Sequence, residues 1–284
     1  MYFLNINKPK GISSFDVIRQ LRKKLRIKAI GHSGTLDPLA SGVMQIAVGD
    51  ATRLLEYLDC DKTYIANFKF GYNSTTMDEE GDKTFISSPD FSKSDLDKVL
   101  DSFLGVSSQI PPKYSAIKYN GRRLCDIVRS NPDIEINVKP REIEIYSIKL
   151  LNFNLPYAEI EVRCSKGTYI RSLVQDIGMK LGCGAYITNL KRIKAGNFNI
   201  KNSDSLDCDF YNKINPLDAI NLDIYELNDI EYQKIKNGVS IFVNQKFNTD
   251  RILLTKNKKL VSVANLSDNL DNLIIKPKKN FIKE

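Results

Sequence analysis

A stretch punctuated by glycine and proline, Gly31-His32-Ser33-Gly34-Thr35-Leu36-Asp37-Pro38-Leu39-Ala40-Ser41-Gly42, runs without interruption into the apolar residues Val43-Met44-Gln45-Ile46-Ala47-Val48. A short apolar run bounded by turn residues reads as a buried strand. The residues before it must then form a tight loop fastened to that strand. One carboxylate, Asp37, sits in the loop between Leu36 and Pro38, and the single histidine of the chain, His32, lies five residues before it. A lone Asp among Gly and Pro is an ordinary turn former. A loop held by a rigid strand is also where catalytic side chains tend to be placed. Spacing alone leaves both readings open.

Elsewhere the chain alternates between period-two and helical patterns. Tyr2, Leu4 and Ile6 alternate as in a strand, as do Tyr64, Ala66, Phe68 and Phe70 within 63–70. Ser13 or Ser14 caps a helix with Phe15, Ile18, Leu21 and Leu25 at helical spacing. The opposite face carries Arg19, Arg22, Lys23, Lys24 and Arg26, a solvated face by default and a phosphate contact as the alternative. The polar stretch 73–82 reads as a loop, and Ser94 opens a helix with Leu96, Val99, Leu100 and Phe103 inward. Pro111-Pro112 breaks the chain. Residues 113–129 then interleave Lys113, Lys118, Arg122, Arg123 and Arg129 with Tyr114 and Tyr119, a mixture that suits either RNA or an ordinary surface helix.

Ile143 and Ile145, then Ile160, Val162 and Cys164, alternate as strands. After Lys166-Gly167, the residues Ile170, Leu173, Val174, Ile177 and Leu181 form one stripe of an amphipathic helix, with Arg171 in its first turn off the stripe. Helices and strands without βαβ regularity predict an α+β domain with a mainly antiparallel sheet. Beyond about residue 220 a short helical stretch ends at Asn237-Gly238, and short strands follow at 251–254, 259–265 and 272–276. This is a small β-rich module ending in the basic run 276–283.

Length and charge narrow the function. The 284 residues suffice for one large and one small domain. A hydrophobic content of 42% supports a sizeable core and excludes global disorder. Lys and Arg number 42 against 34 Asp and Glu, a net charge of +8, which serves solubility or a polyanionic partner such as nucleic acid or an anionic membrane surface. No apolar run approaches the roughly 18 residues of a membrane span. The first residues lack the basic leader of a signal peptide. Cysteines 60, 125, 164, 183 and 208 form no CxxC pair, so neither a disulfide framework nor, with one histidine, a zinc site is expected. The expectation is a reduced, cytoplasmic protein without a metal.

The string GHSGTLDPLASGVMQIAVGDATR at 31–53 resembles the catalytic segment of the tRNA pseudouridine-55 synthases, the bacterial TruB family. Further segments fit in the same order. They are Asn7-Lys8-Pro9-Lys10-Gly11 with Ser13-Ser14, Lys62-Thr63-Tyr64, Lys113-Tyr114-Ser115-Ala116, Cys164-Ser165-Lys166-Gly167-Thr168-Tyr169-Ile170-Arg171 and Leu190-Lys191-Arg192-Ile193-Lys194-Ala195-Gly196. The resemblance spans about residues 1–200. It implies a pseudouridine-synthase-like α+β catalytic domain over 1–220, with a mixed, mainly antiparallel sheet, flanking helices and an RNA-gripping insertion at about 110–140. It also implies a small PUA-like RNA-binding module over 221–284.

The implied reaction converts uridine 55 in the T-loop of tRNA to pseudouridine. The N1–C1′ bond breaks and the base rejoins through C5, with the uridine flipped out and no cofactor taking part. Asp37 is then the nucleophile, on either C6 of the uracil or C1′ of the ribose. Arg171 supplies the cation that keeps a buried carboxylate ionised. An arginine in the first turn opposes the helix dipole, and an unfavourable local choice points to function. Tyr64 stacks on the displaced uracil and helps remove the C5 proton. His32 either occupies the space the base vacates or stacks in the loop, and the resemblance places Asp78 near the flipped nucleotide, although Thr75 stands where another Asp is common. Lys8 of the Lys-Pro-x-Gly motif supports the site, and Leu190 lines the substrate site. The implied partner is the T-arm stem-loop of tRNA, bound by a monomer with no membrane and no obligatory protein partner. The alternatives are a tRNA-folding helper with catalysis secondary, and the catalytic subunit of a guide-RNA ribonucleoprotein. A zinc deaminase is excluded by the missing ligands.

Overall fold

The computed structural model describes residues 1–131, 134, 136–269 and 272–282. Pro132, Asp133 and Glu135 of the 110–140 segment, and Lys283 of the basic tail, lie outside the described residues.

One large sheet organises the larger, N-terminal part of the chain. Its strands run in the order Asp204–Ser205, Tyr2–Lys8, Ala40–Val48, Ala185–Ala195, Lys62–Phe70, Tyr157–Cys164, Arg141–Asn154 and Gly105–Gln109. Ile30–His32 lies beside Ala40–Val48, and Phe198–Asn199 beside Ala185–Ala195. Tyr2–Lys8 pairs in parallel with Asp204–Ser205, as does Ala40–Val48 with Ala185–Ala195, and the other pairings of this sheet are antiparallel. The α+β expectation and the mainly antiparallel sheet are therefore met.

Each face of the sheet has its own core. Leu4, Ile6, Met44, Ile46, Phe68 and Ile160 pack with Val17, Ile18 and Leu21 of helix Ser14–Leu25 and with Leu173, Val174 and Ile177 of helix Ile170–Lys180. Phe3, Val43 and Ala47 point the other way, as the period of two requires. They meet Leu54 and, from the C-terminal part, Leu253, Leu260 and Val263. The Ala40–Val48 strand is thus covered on both sides, which explains its unbroken apolar sequence.

The C-terminal part forms a five-stranded sheet in the order Asp223–Glu226, Arg251–Lys256, Lys259–Asn269, Asn272–Asn280, Ile241–Val243. Ile252, Leu254 and Ile275 build its own core with Ile235, while Leu253 turns outward to the large sheet. Arg53 Nη1 donates to the carbonyl of Asn280 at 2.9 Å, and Lys279 Nζ returns to the carbonyl of Arg53 at 2.9 Å, so the two parts are latched as well as packed.

Several details differ from the sequence reading. Helix Ser14–Leu25 is capped by Ser13, whose side chain and Asp16 form a reciprocal capping box, and its inward residues include Ser14 and Val17 while Phe15 faces solvent. The next helix begins at Lys93 under a Ser92/Asp95 capping box, not at Ser94, and Phe103 lies past its end. Residues 113–129 carry only a small hairpin, Lys118–Tyr119 with Arg122–Arg123, before helix Leu124–Ser130.

Gly42 fixes how closely the two central parallel strands meet. Its φ is +110°, and a Cβ there would lie 2.2 Å from the backbone oxygen of Arg192, its register partner. Only glycine tolerates both conditions. Gly42→Ala should cost at least about 2 kcal/mol and lower the thermal midpoint by about 5 °C. Scanning calorimetry of the purified variant checks this, and an unchanged midpoint contradicts it.

Candidate active site

The loop before the Ala40–Val48 strand is held from several directions at once. Ser33 N–H donates to the carbonyl of Gln45 at 3.2 Å, and Ser33 Oγ bonds the Gln45 side chain. Arg192 Nη2 donates to the carbonyl of Gly34 at 3.1 Å. Ser14 Oγ accepts from Leu36 N–H at 2.7 Å and donates to Leu36 C=O at 2.8 Å, stapling the loop to the first turn of the helix. Lys8 is fully buried, and its ammonium donates to the carbonyls of Ile12 at 2.6 Å, Pro9 at 2.9 Å and Pro38 at 3.4 Å. Gly11 N–H adds 2.8 Å to the same Pro38 oxygen. The backbone on both sides of Asp37 is therefore fixed without any help from a ligand.

Arg171 meets the carboxylate with two prongs, Nε to Oδ2 at 2.8 Å and Nη2 to Oδ1 at 3.1 Å. The same guanidinium donates to the carbonyls of Tyr114 at 2.9 Å and Thr76 at 3.1 Å, and lies 3.6 Å from Asp78 Oδ2. Only 5% of the Arg171 side chain is accessible against 34% of Asp37, so the cation is locked in place while the carboxylate keeps an open edge. Gln109 orients the helix start: its amide accepts from Tyr169 N–H at 2.8 Å and donates to Tyr169 C=O at 3.0 Å. Burial pushes the Asp37 carboxyl above the ordinary range, Arg171 pulls it back, and Asp78 adds to the upward push. The two-pronged contact is one that an ionised carboxylate makes best.

Asp78 is buried behind Arg171. Its Oδ1 accepts from Glu80 N–H at 3.1 Å and from the Thr76 hydroxyl, so it braces the guanidinium rather than facing solvent. Tyr64 is buried on the Lys62–Phe70 strand with Arg192 as its cross-strand partner. Burial raises its phenol, and the nearby positive charge of Arg192 acts in the opposite direction. Leu190 lies across from Ala40 on one side and Ala66 on the other. His32 ends the short Ile30–His32 strand with Nδ1 buried and without a hydrogen-bond partner among the described residues. Burial and then Arg192 lower its imidazole, so it is neutral near pH 7.

Asp37, Arg171, Asp78 and Lys8 thus form one connected group, with Tyr64 and Leu190 on the two strands beside it. Ser14, Gln109 and Arg192 belong to the same scaffold and were not singled out from sequence. For Arg192 a signal existed. It sits two residues after Leu190 on the same face of the strand, a charged residue at an inward position.

The chain matches two family descriptions. The description "TruB family pseudouridylate synthase (N terminal domain)" matches residues 22–170, and "tRNA pseudouridylate synthase B C-terminal domain" matches 171–209. The five-stranded C-terminal sheet falls outside both. Among curated proteins, the chain is 45% identical to tRNA pseudouridine synthase B of Clostridium kluyveri over 84% of each chain. It is 39% identical to that of Syntrophomonas wolfei over 98% of each. Among solved structures, it resembles a chain of a Cbf5-Nop10-Gar1 complex with a TM-score of 0.73 at 22% identity, covering 99% of this chain and 85% of that one, a likeness of fold.

The buried ammonium of Lys8 gives a pH-dependent signature. Burial lowers it from 10.5 to about 8, with Asp37 acting in the opposite direction. A lysine whose folded value lies below its unfolded one opposes folding when protonated, and this disadvantage is relieved as pH rises from about 8 toward 10.5. Wild type should therefore gain on the order of 2 kcal/mol relative to Lys8→Met between about pH 7 and about pH 10. Urea unfolding of both proteins across that range measures it, and a pH-independent difference contradicts it.

Proposed function

The chain belongs to the TruB family of pseudouridylate synthases, isomerases that act on tRNA, and we propose that it converts uridine 55 of the T-loop to pseudouridine with Asp37 as nucleophile and no cofactor. The observation that carries this reading is the two-pronged Arg171 contact on a carboxylate that keeps an open edge. Arg171 holds Asp37 ionised and aimed. The carboxylate adds to C6 of the uracil or C1′ of the ribose, the N1–C1′ bond breaks, the base turns, and C5 bonds to C1′. The bond to Asp37 breaks again to regenerate the carboxylate, the C5 proton leaves and N1 takes up a proton, while Tyr64 stacks on the base and assists removal of the C5 proton. The net change is a rearrangement within one nucleoside, so the chemistry calls for neither redox centre nor metal.

The substrate enters as a flipped nucleotide, at a cost of a few kcal/mol. Contacts to the T-arm backbone supply the compensating free energy. Lys113, Lys118, Tyr119, Arg122 and Arg123 are exposed in the segment after Pro111-Pro112, and the Tyr114 carbonyl ties that segment to Arg171. Leu190 lines the substrate site, His32 fills the space the base leaves, and Lys8 and Asp78 act behind the reacting groups. The C-terminal sheet adds a basic surface for the rest of the RNA. The protein works as a monomer in the cytoplasm without an obligatory protein partner. Among the described residues no helix is long and apolar enough to cross a membrane.

A folding-helper role with catalysis secondary makes a different forecast for one variant. Asp37→Ala should abolish pseudouridine formation in a T-arm stem-loop while leaving affinity within about tenfold, because most affinity comes from phosphate contacts. Tritium release from [5-³H]uridine RNA, with filter binding in parallel, gives both values. Substantial turnover by Asp37→Ala contradicts the nucleophile assignment.

A further inference from the structure

Arg192 is the largest fully buried side chain among the described residues, with 1% of its surface accessible. Its acceptors are neutral oxygens. Nε donates to the carbonyl of Val43 at 2.7 Å, Nη2 to Gly34 at 3.1 Å and Nη1 to Thr35 at 3.5 Å. A buried cation whose hydrogen bonds go to carbonyls stabilises a fold less than an apolar side chain of similar volume would. Packing alone does not account for an arginine here.

Its position does. The Gly34 and Thr35 carbonyls lie three and two residues before Asp37, and Val43 lies just past the strand entry, so one guanidinium spans both arms of the loop that presents the carboxylate. The backbone of Arg192 closes on the same place, since its oxygen occupies the space a Cβ on Gly42 would need. From the neighbouring strand, Tyr64 joins the same frame. We infer that Arg192 is a positioning residue of the reaction, holding the Asp37 loop in a fixed relation to the strand that carries Tyr64, its cross-strand partner. The inference rests on Asp37 being the reacting carboxylate. Consistent with a positive charge at this centre, Arg192 lowers the basicity of Lys8, His32 and Lys62 around it.

The test uses the full chain as Arg192→Lys and Arg192→Met, with tRNA transcript. Single-turnover rate at saturating enzyme, tRNA affinity and amide hydrogen exchange are measured on each. Arg192→Met should lose about 100-fold in rate, the scale set by a small misplacement of a reacting group. Affinity should stay within about threefold, since the phosphate contacts are untouched. Exchange should quicken at 34–36 while the Tyr2–Lys8 strand and the Ile170–Lys180 helix keep their protection. Arg192→Lys keeps the charge and one donor direction but not the fork, and should recover about tenfold of the lost rate. If Arg192→Met fails to fold, Arg192→Lys decides alone: slow chemistry with normal affinity and local loop exchange supports the inference. Wild-type rate, or a loss that merely tracks the unfolded fraction with exchange raised everywhere, overturns it. Asp37→Asn run in parallel separates the two claims. Turnover by that variant removes the nucleophile assignment, whereas unchanged loop exchange in the Arg192 variants removes only the role of Arg192.

Discussion

A single buried guanidinium joins the parts of this site. Arg171 binds both oxygens of Asp37, and it also takes the carbonyls of Thr76 and Tyr114, which belong to two other connecting segments. Removing it would take the guanidinium donor from the part-buried Thr76 and Tyr114 carbonyls, and leave Asp37 facing Asp78 without the intervening cation. The helix that carries Arg171 is itself fixed by Gln109 and by Ser172, whose hydroxyl donates to the Ile110 carbonyl at 2.9 Å. Asp37, the Asp78 turn and the basic segment after Pro111-Pro112 therefore share one anchor.

Three buried cations, Lys8, Arg171 and Arg192, surround one loop that carries one open carboxylate. In stability terms this is an expensive construction, because each cation leaves water and only Arg171 meets carboxylates at close range. What it supplies is preorganisation: donors already aimed, so that little rearrangement accompanies the chemistry. The apolar cores on both faces of the large sheet furnish the rigidity on which this depends. Individually buried Leu and Ile side chains contribute about 1.5–3 kcal/mol each.

Much of this was legible in the sequence. The Tyr2–Lys8 and Lys62–Phe70 strands and the Ile170–Lys180 helix announced themselves by period, and Asp37 by its place between a turn and a buried strand. In the first helix Ile18, Leu21 and Leu25 pack inward as read, and only Phe15 was misplaced, because the inward position 14 is a serine, buried and bonded to Leu36, which made Phe15 look like the start of the apolar stripe. Asp223–Glu226 and Ile241–Val243 escaped notice because they are short edge strands of the small sheet, too brief to display a period. The Gly42–Arg192 contact was invisible for another reason. It joins residues far apart in the chain through a parallel pairing that local pattern cannot foresee.

The central claim is that an arginine-held Asp37 isomerises one particular uridine. Mapping pseudouridine at single-nucleotide resolution in unmodified tRNA treated with the purified protein tests it most directly. The account predicts a single new pseudouridine at position 55 of the T-loop, in tRNAs of differing sequence elsewhere. Modification at other positions with 55 untouched, or none at all by a folded and tRNA-binding protein, would contradict it.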